Sequence, residues 1–140
     1  MSVFIPPNPH SVGLKILLVD DSLIVHATIG NDLKELKHSV VAIADPIKAI
    51  QVFKNEFEQE GDSFDLLLTD YKMPGMNGLT LIKKVKEIDK DINILMFTIE
   101  GNRHSLKKAV LDEGAEFIDK RADKGILYYT IAGLLEKKKK

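Results

Sequence analysis

Four short apolar runs in the chain each lead into residues suited to phosphoryl chemistry. Ile16-Leu17-Leu18-Val19 runs into Asp20 and Asp21, and Leu66-Leu67-Leu68-Thr69 into Asp70. Ile94-Leu95-Met96-Phe97 runs into Thr98, and Ala115-Glu116-Phe117-Ile118-Asp119 into Lys120. If these runs are parallel strands of one sheet, their carboxyl ends share one edge, where open α/β sheets place ligands. Three carboxylates, a hydroxyl and an ammonium would then converge, a set that suits a divalent cation and a phosphoryl group. Each residue also has a plainer reading. An acid after an apolar run is often a helix N-cap, Thr98 alone a strand end, and Lys120 alone a solvated loop lysine. Their ordered recurrence argues for the site.

The intervening segments must position these residues. Val40-Val41-Ala42-Ile43-Ala44 is a further β-branched run, which brings the strand count to five. Apolar residues at helical spacing follow each strand: Val25, Ile29, Leu33 and Leu36; Ile50, Phe53 and Phe57; Leu81, Val85 and Ile88; Leu106 and Val110; Leu127, Ile131, Leu134 and Leu135. Ser22, Asp45 and Asn77 or Gly78 stand where helices would start, Gly61 and Gly114 where helices should stop. Five such units with near-continuous apolar strands predict a doubly wound α/β fold, a five-stranded parallel sheet with helices on both faces. Right-handed crossovers with a reversal after the first two strands would give the order 2-1-3-4-5.

The chain has 140 residues, 44% of them hydrophobic and 29% charged, which reads as one soluble domain able to bury a core. Pro6, Pro7, Pro9 and Gly13 mark residues 1–13 as an extended lead-in; the domain is expected over 14–136, and 137–140 as a lysine tail. The net charge is −1, but without those four lysines 16 basic residues face 21 acidic ones, so the body carries −5. An acidic body argues against nucleic-acid binding. The absence of cysteine excludes disulfides, thiolate catalysis and Cys-ligated zinc. No run approaches the roughly 18 apolar residues of a membrane span, and no signal peptide is evident, so a cytoplasmic location is expected. His10, His26, His38 and His104 show no metal-binding spacing and read as surface, helix or lead-in residues.

Leu18-Val19-Asp20-Asp21-Ser22, Leu68-Thr69-Asp70 with Met73-Pro74-Gly75-Met76-Asn77-Gly78, Phe97-Thr98 and Phe117-Ile118-Asp119-Lys120 together resemble the receiver domain of two-component response regulators. The similarity spans about residues 14–136 and implies a flavodoxin-like sheet. Length and the missing output domain look most like the stand-alone, chemotaxis-type members. The chemistry also follows from the residues. Asp70 would act as nucleophile and become an acyl phosphate. Anionic repulsion, worsened by Asp20 and Asp21, calls for an oxygen-loving cation such as Mg²⁺, with Mn²⁺ an alternative. The resemblance implies that Asp21, Asp70 and the Lys72 backbone carbonyl bind the metal directly, and Asp20 through water. It gives Lys120 and Thr98 contacts to phosphoryl oxygens. It also implies a switch in which Thr98 moves and the Phe117 ring turns into the vacated space, biasing the surface of the fourth helix, fifth strand and fifth helix. Plain core packing is the other reading of Phe117.

Three positions depart from the common receiver pattern. Ile99 replaces a small residue after Thr98, Lys72 puts a cation two residues past Asp70, and Arg121 replaces the cis-proline after Lys120. A cis bond without proline costs roughly 2.5–4 kcal/mol, so Lys120–Arg121 is expected to be trans. Ile99 and Lys72 are candidates for tuning the lifetime of the phosphorylated state.

The resulting reading is a phospho-accepting response regulator. A sensor histidine kinase or phosphotransfer protein would phosphorylate it, and it would then signal to a downstream protein as a monomer or phosphorylation-dependent dimer. It would be an enzyme only in catalysing its own phosphorylation and slow dephosphorylation. The alternatives are a receiver excised from a larger regulator or hybrid kinase, and an aspartyl phosphatase. The phosphatase pattern usually has an acid two residues after the nucleophile, where this chain has Lys72.

Overall fold

The computed structural model describes residues 13–100 and 103–139. Strands and helices alternate: β1 (Lys15–Val19), α1 (Leu23–Glu35), β2 (Ser39–Ile43), α2 (Pro46–Glu58), β3 (Leu66–Thr69), α3 (Gly78–Ile88), β4 (Asn93–Thr98), α4 (His104–Asp112), β5 (Glu116–Asp119) and α5 (Lys124–Lys139). All neighbouring strands are parallel, in the order β2-β1-β3-β4-β5. This is the doubly wound sheet that the alternation predicts.

Successive strand residues face opposite sides of a sheet, and here both sides are covered. Leu17, Val19, Leu67, Ile94 and Met96 pack with Phe53 of α2, Leu81 and Val85 of α3, and Leu106 and Val110 of α4. Their neighbours Ile16, Leu18, Leu66, Leu68, Leu95 and Phe97 pack with Ile29 and Leu33 of α1 and with Leu127 and Ile131 of α5. That double coverage is why the central strands read as unbroken apolar runs instead of alternating with polar residues.

The expected caps are made by side chains. Ser22 accepts the Val25 N–H, Asp45 the Ile47 N–H and Asn77 the Thr80 N–H. Gly61 and Gly114 follow α2 and α4 with φ of +83° and +80°, where a side chain would be strained. The end of α1 differs from expectation. Leu36 lies beyond the helix and is half exposed. Lys37 takes the left-handed conformation (φ +76°), and the His38 N–H reaches back to the Leu33 carbonyl. A helix stop of this kind is usually made by glycine, so a lysine gives no sequence cue.

His38 is a correction as well. It is buried, not on the surface, and its Nδ1 accepts the Leu14 N–H at 3.0 Å. Burial lowers its pKa, which favours the neutral ring that this bond requires. β2 begins at Ser39, one residue earlier than expected, and β5 at Glu116, one later. α5 continues through Lys139, so the lysine run largely extends the last helix. The lead-in at 1–12, including His10, and Lys140 lie outside the described residues.

One glycine fixes how the third helix meets the sheet. A Cβ on Gly78 would lie 2.0 Å from the Asp70 carbonyl oxygen and 2.9 Å from the Met96 methyl carbon. Gly133, in α5, has nothing within 4 Å of the same position. Gly78→Ala is therefore expected to cost about 1–3 kcal/mol by forcing α3 off the sheet. Gly133→Ala should be neutral or gain up to about 1 kcal/mol of helix propensity. Urea unfolding of the two variants checks this; equal midpoints would contradict the close approach at Gly78.

Candidate functional site

Sheet register brings the candidate residues to one edge. Val19 is level with Thr69, so the next residues, Asp20 and Asp70, emerge side by side. Thr98 is level with Asp119, which places Lys120 just past the end of β4. Backbone bonds continue each ladder into the loops: Asp20 N–H to Ile43 O, Asp70 N–H to Val19 O, and Lys120 N–H to Thr98 O at 3.0 Å. The loop after Asp70 turns at Pro74 and Gly75, the latter at φ +87°, and returns so that the Gly78 N–H donates to the Tyr71 carbonyl.

Carboxylate oxygens of Asp20, Asp21 and Asp70 lie within 4.8 Å of one another. The Lys120 ammonium stands among them, 2.8 Å from Asp20 Oδ2 and 3.0 Å from Asp70 Oδ2, with the Phe97 ring centroid 5.9 Å away. The other oxygen of each acid accepts a backbone N–H, from Ser22 to Asp20 and from Tyr71 to Asp70. The three acids differ in environment: Asp20 is 1% exposed, Asp70 is intermediate and Asp21 faces solvent. Burial pushes the Asp20 pKa up, outweighing the hydrogen bonds and charge that favour its anion. Burial works against the Lys120 charge too, but the bond to Asp20 and the two carboxylates hold its pKa above the ordinary value. The donor set is three carboxylates of graded exposure, which are hard oxygen ligands of the kind that suit Mg²⁺.

The remaining predicted residues fall around this centre. Thr98 is 1% exposed at the end of β4, and its hydroxyl oxygen accepts the Glu100 N–H at 3.5 Å. Lys72 is exposed and shares a cleft of about 400 Å³ with Asp21, Met73 and Pro74. Ile99 is 60% exposed just past Thr98. Phe117 is half-buried on β5 against the cluster that includes Met96. The Lys120–Arg121 peptide is trans, since no described peptide bond is cis. One contributor escaped sequence reasoning. His26, on the first turn of α1, lies with Nε2 2.6 Å from the Asp20 carbonyl oxygen, so Nε2–H is the donor that steadies the acidic loop. Its only sequence signal is a position six residues after Asp20.

A five-stranded 2-1-3-4-5 sheet with clustered acids and a lysine at its C-terminal edge defines the receiver class of signalling domain. The chain belongs to the response regulator receiver domain family, whose model matches residues 16–132. It is 29% identical over 130 residues to the chemotaxis protein CheY of Treponema pallidum, covering 92% of this chain and 88% of that protein. Identity to a putative two-component response regulator of Arabidopsis thaliana is 32% over 90 residues, 64% of this chain but 14% of that protein. The fold matches a chain of the CheX–CheY–BeF3–Mg²⁺ complex from Borrelia burgdorferi with a TM-score of 0.78 at 24% identity, covering 90% of this chain and 96% of that one. No described helix is long and apolar enough to cross a membrane.

A raised carboxyl pKa means that the folded chain holds its proton more tightly than the unfolded chain does. In metal-free protein, stability should therefore fall as pH rises from the ordinary value of 3.8 toward the folded pKa of Asp20. Asp20→Asn removes that loss. Urea midpoints between pH 3.5 and 7 should show the variant gaining on the wild type as pH rises; a constant difference would refute the role of Asp20 burial.

Proposed function

We propose that this receiver accepts a phosphoryl group on Asp70 from a phosphohistidine donor in a Mg²⁺-dependent reaction. The observation that carries this reading is the meeting of three carboxylates with the Lys120 ammonium at the C-terminal edge of the sheet. Asp20, Asp21 and Asp70 would hold the metal, with the Lys72 carbonyl as a further ligand. The bound ion would neutralise phosphoryl oxygens next to these acids. The largely buried but accessible Asp70 carboxylate attacks phosphorus, the P–N bond to the donor imidazole breaks, and the imidazole leaves with the proton on its other ring nitrogen. The Tyr71 N–H orients Asp70 through one of its oxygens. Lys120 contacts the other and would shift to a phosphoryl oxygen as charge moves there. Thr98 would donate a hydrogen bond to another.

Signalling to a downstream protein would follow from Thr98 moving toward the phosphoryl group. Phe117 is partly buried and level with Met96, two residues before Thr98 on β4, which supports a coupling between ring and hydroxyl. That would bias the face formed by α4, β5 and α5 between two states. The sensor kinase or phosphotransfer protein and the effector would meet the domain in the cytoplasm. The partial coverage of the Arabidopsis regulator supports a second reading, in which the same receiver forms part of a larger protein.

Incubation with Mg²⁺ and a small phosphodonor should add one phosphoryl mass to the wild type and none to Asp70→Asn. Lys120→Ala should slow the addition by about a hundredfold or more. Equal labelling of wild type and Asp70→Asn would exclude Asp70 as acceptor. Lys72 lies two residues past Asp70 and exposed Ile99 follows Thr98, so if they crowd the approach of water, Ile99→Ala and Lys72→Ala should each speed loss of the phosphoryl group. Unchanged dephosphorylation in both would remove them from rate control.

A further inference from the structure

The lysine that serves the site sits at the corner of a turn, and the residues on either side of it clasp each other. Asp119 Oδ1 accepts both the Arg121 backbone N–H at 2.8 Å and the Arg121 Nε–H at 3.0 Å. Asp119 Oδ2 accepts from the Arg121 terminal nitrogen at 2.7 Å. This is a two-pronged guanidinium–carboxylate pair, fixed in direction as well as distance. Backbone bonds complete the corner: Lys120 N–H to Thr98 O and Ala122 N–H to Asp119 O, both at 3.0 Å. Arg121 holds the Asp119 carboxyl far below the usual range, at about 2, so the pair remains charged at any working pH.

Lysine reaches its targets on a flexible four-carbon stem, so the direction of its backbone decides where the ammonium can rest. We propose that the Asp119–Arg121 clasp aims Lys120 into the carboxylate cluster, which makes Arg121 a positioning residue for that ammonium. The guanidinium is 60% exposed along its side chain and stays outside the pocket. Exposed pairs of this kind contribute little to global stability. Loss of the clasp should therefore free Lys120 while leaving the fold as stable as before, and a merely structural role would show the opposite pattern. The consequence for phosphorylation rests on the role of Lys120 proposed above, but the placement of the amine can be read without it.

The test is the acetylation rate of individual lysines in the full chain, read by peptide mass mapping with exposed Lys48 as internal control. Arg121→Ala should acetylate Lys120 about three- to fivefold faster than wild type, the scale expected for an exposed pair. Arg121→Lys, with one prong in place of two, should fall between. Asp119→Ala, which also removes the carboxylate that accepts the Arg121 backbone N–H, should exceed both. Urea midpoints of the arginine variants should match wild type, and their phosphorylation by the small donor should slow by a similar factor. Wild-type Lys120 acetylation in Arg121→Ala would overturn the proposal, as would a rise shared by Lys48 or a fall in the urea midpoint. If Asp119→Ala fails to fold, the Arg121 variants decide alone. Phosphorylation that persists in Asp70→Asn would sink the functional reading instead, leaving the acetylation result to stand by itself.

Discussion

Mutual repulsion among three carboxylates is the constraint around which this molecule is arranged. Oxygens of Asp20, Asp21 and Asp70 gather within 4.8 Å. Two unit charges at such a distance repel by about 3–4 kcal/mol at an effective dielectric of about 20, against a total stability of about 5–15 kcal/mol for a typical domain. The chain relieves this load in two ways: Lys120 bridges two of the acids, and backbone N–H groups from Ser22 and Tyr71 donate to their other oxygens. A divalent cation would relieve it further, which would tie metal affinity to the electrostatic cost of gathering the acids.

Such a cluster needs a rigid frame. β1, β3 and β4 are buried on both faces, and the two cores on either side of the sheet leave their carboxyl ends little freedom. The approach of α3 at Gly78 presses the following helix against the Asp70 backbone. His26 steadies the Asp20–Asp21 peptide from α1. The acids thus follow stiff elements, with Thr98 at the carboxyl end of β4 and Lys120 just past β5 beside them.

The departures from expectation share a cause. His38 reads as a surface residue because nothing in its neighbours announces burial; it becomes buried when β2 aligns beside β1 and the Leu14 N–H needs an acceptor. Leu36 fits the helical period, yet Lys37 ends the helix through a left-handed turn that a lysine rarely adopts. His26 looks unremarkable in sequence and gains meaning from the Asp20 carbonyl that the folded backbone brings to it. In every case the missing information was the identity of a neighbour.

Periodicity alone was enough to establish the alternation of five strands and five helices, because burial on both faces imposes continuous apolar strands and helical stripes that local patterning records. The ordered acids, threonine and lysine at the strand ends were legible for the same reason, and they sufficed for the family. Register and burial were decided only in the folded chain. The grading of three like acids into one buried, one intermediate and one exposed, and the placing of Lys120 between two of them, depend on residues up to 100 positions apart meeting across the sheet. Such distances between charges are set by packing, so no local pattern in the chain can encode them.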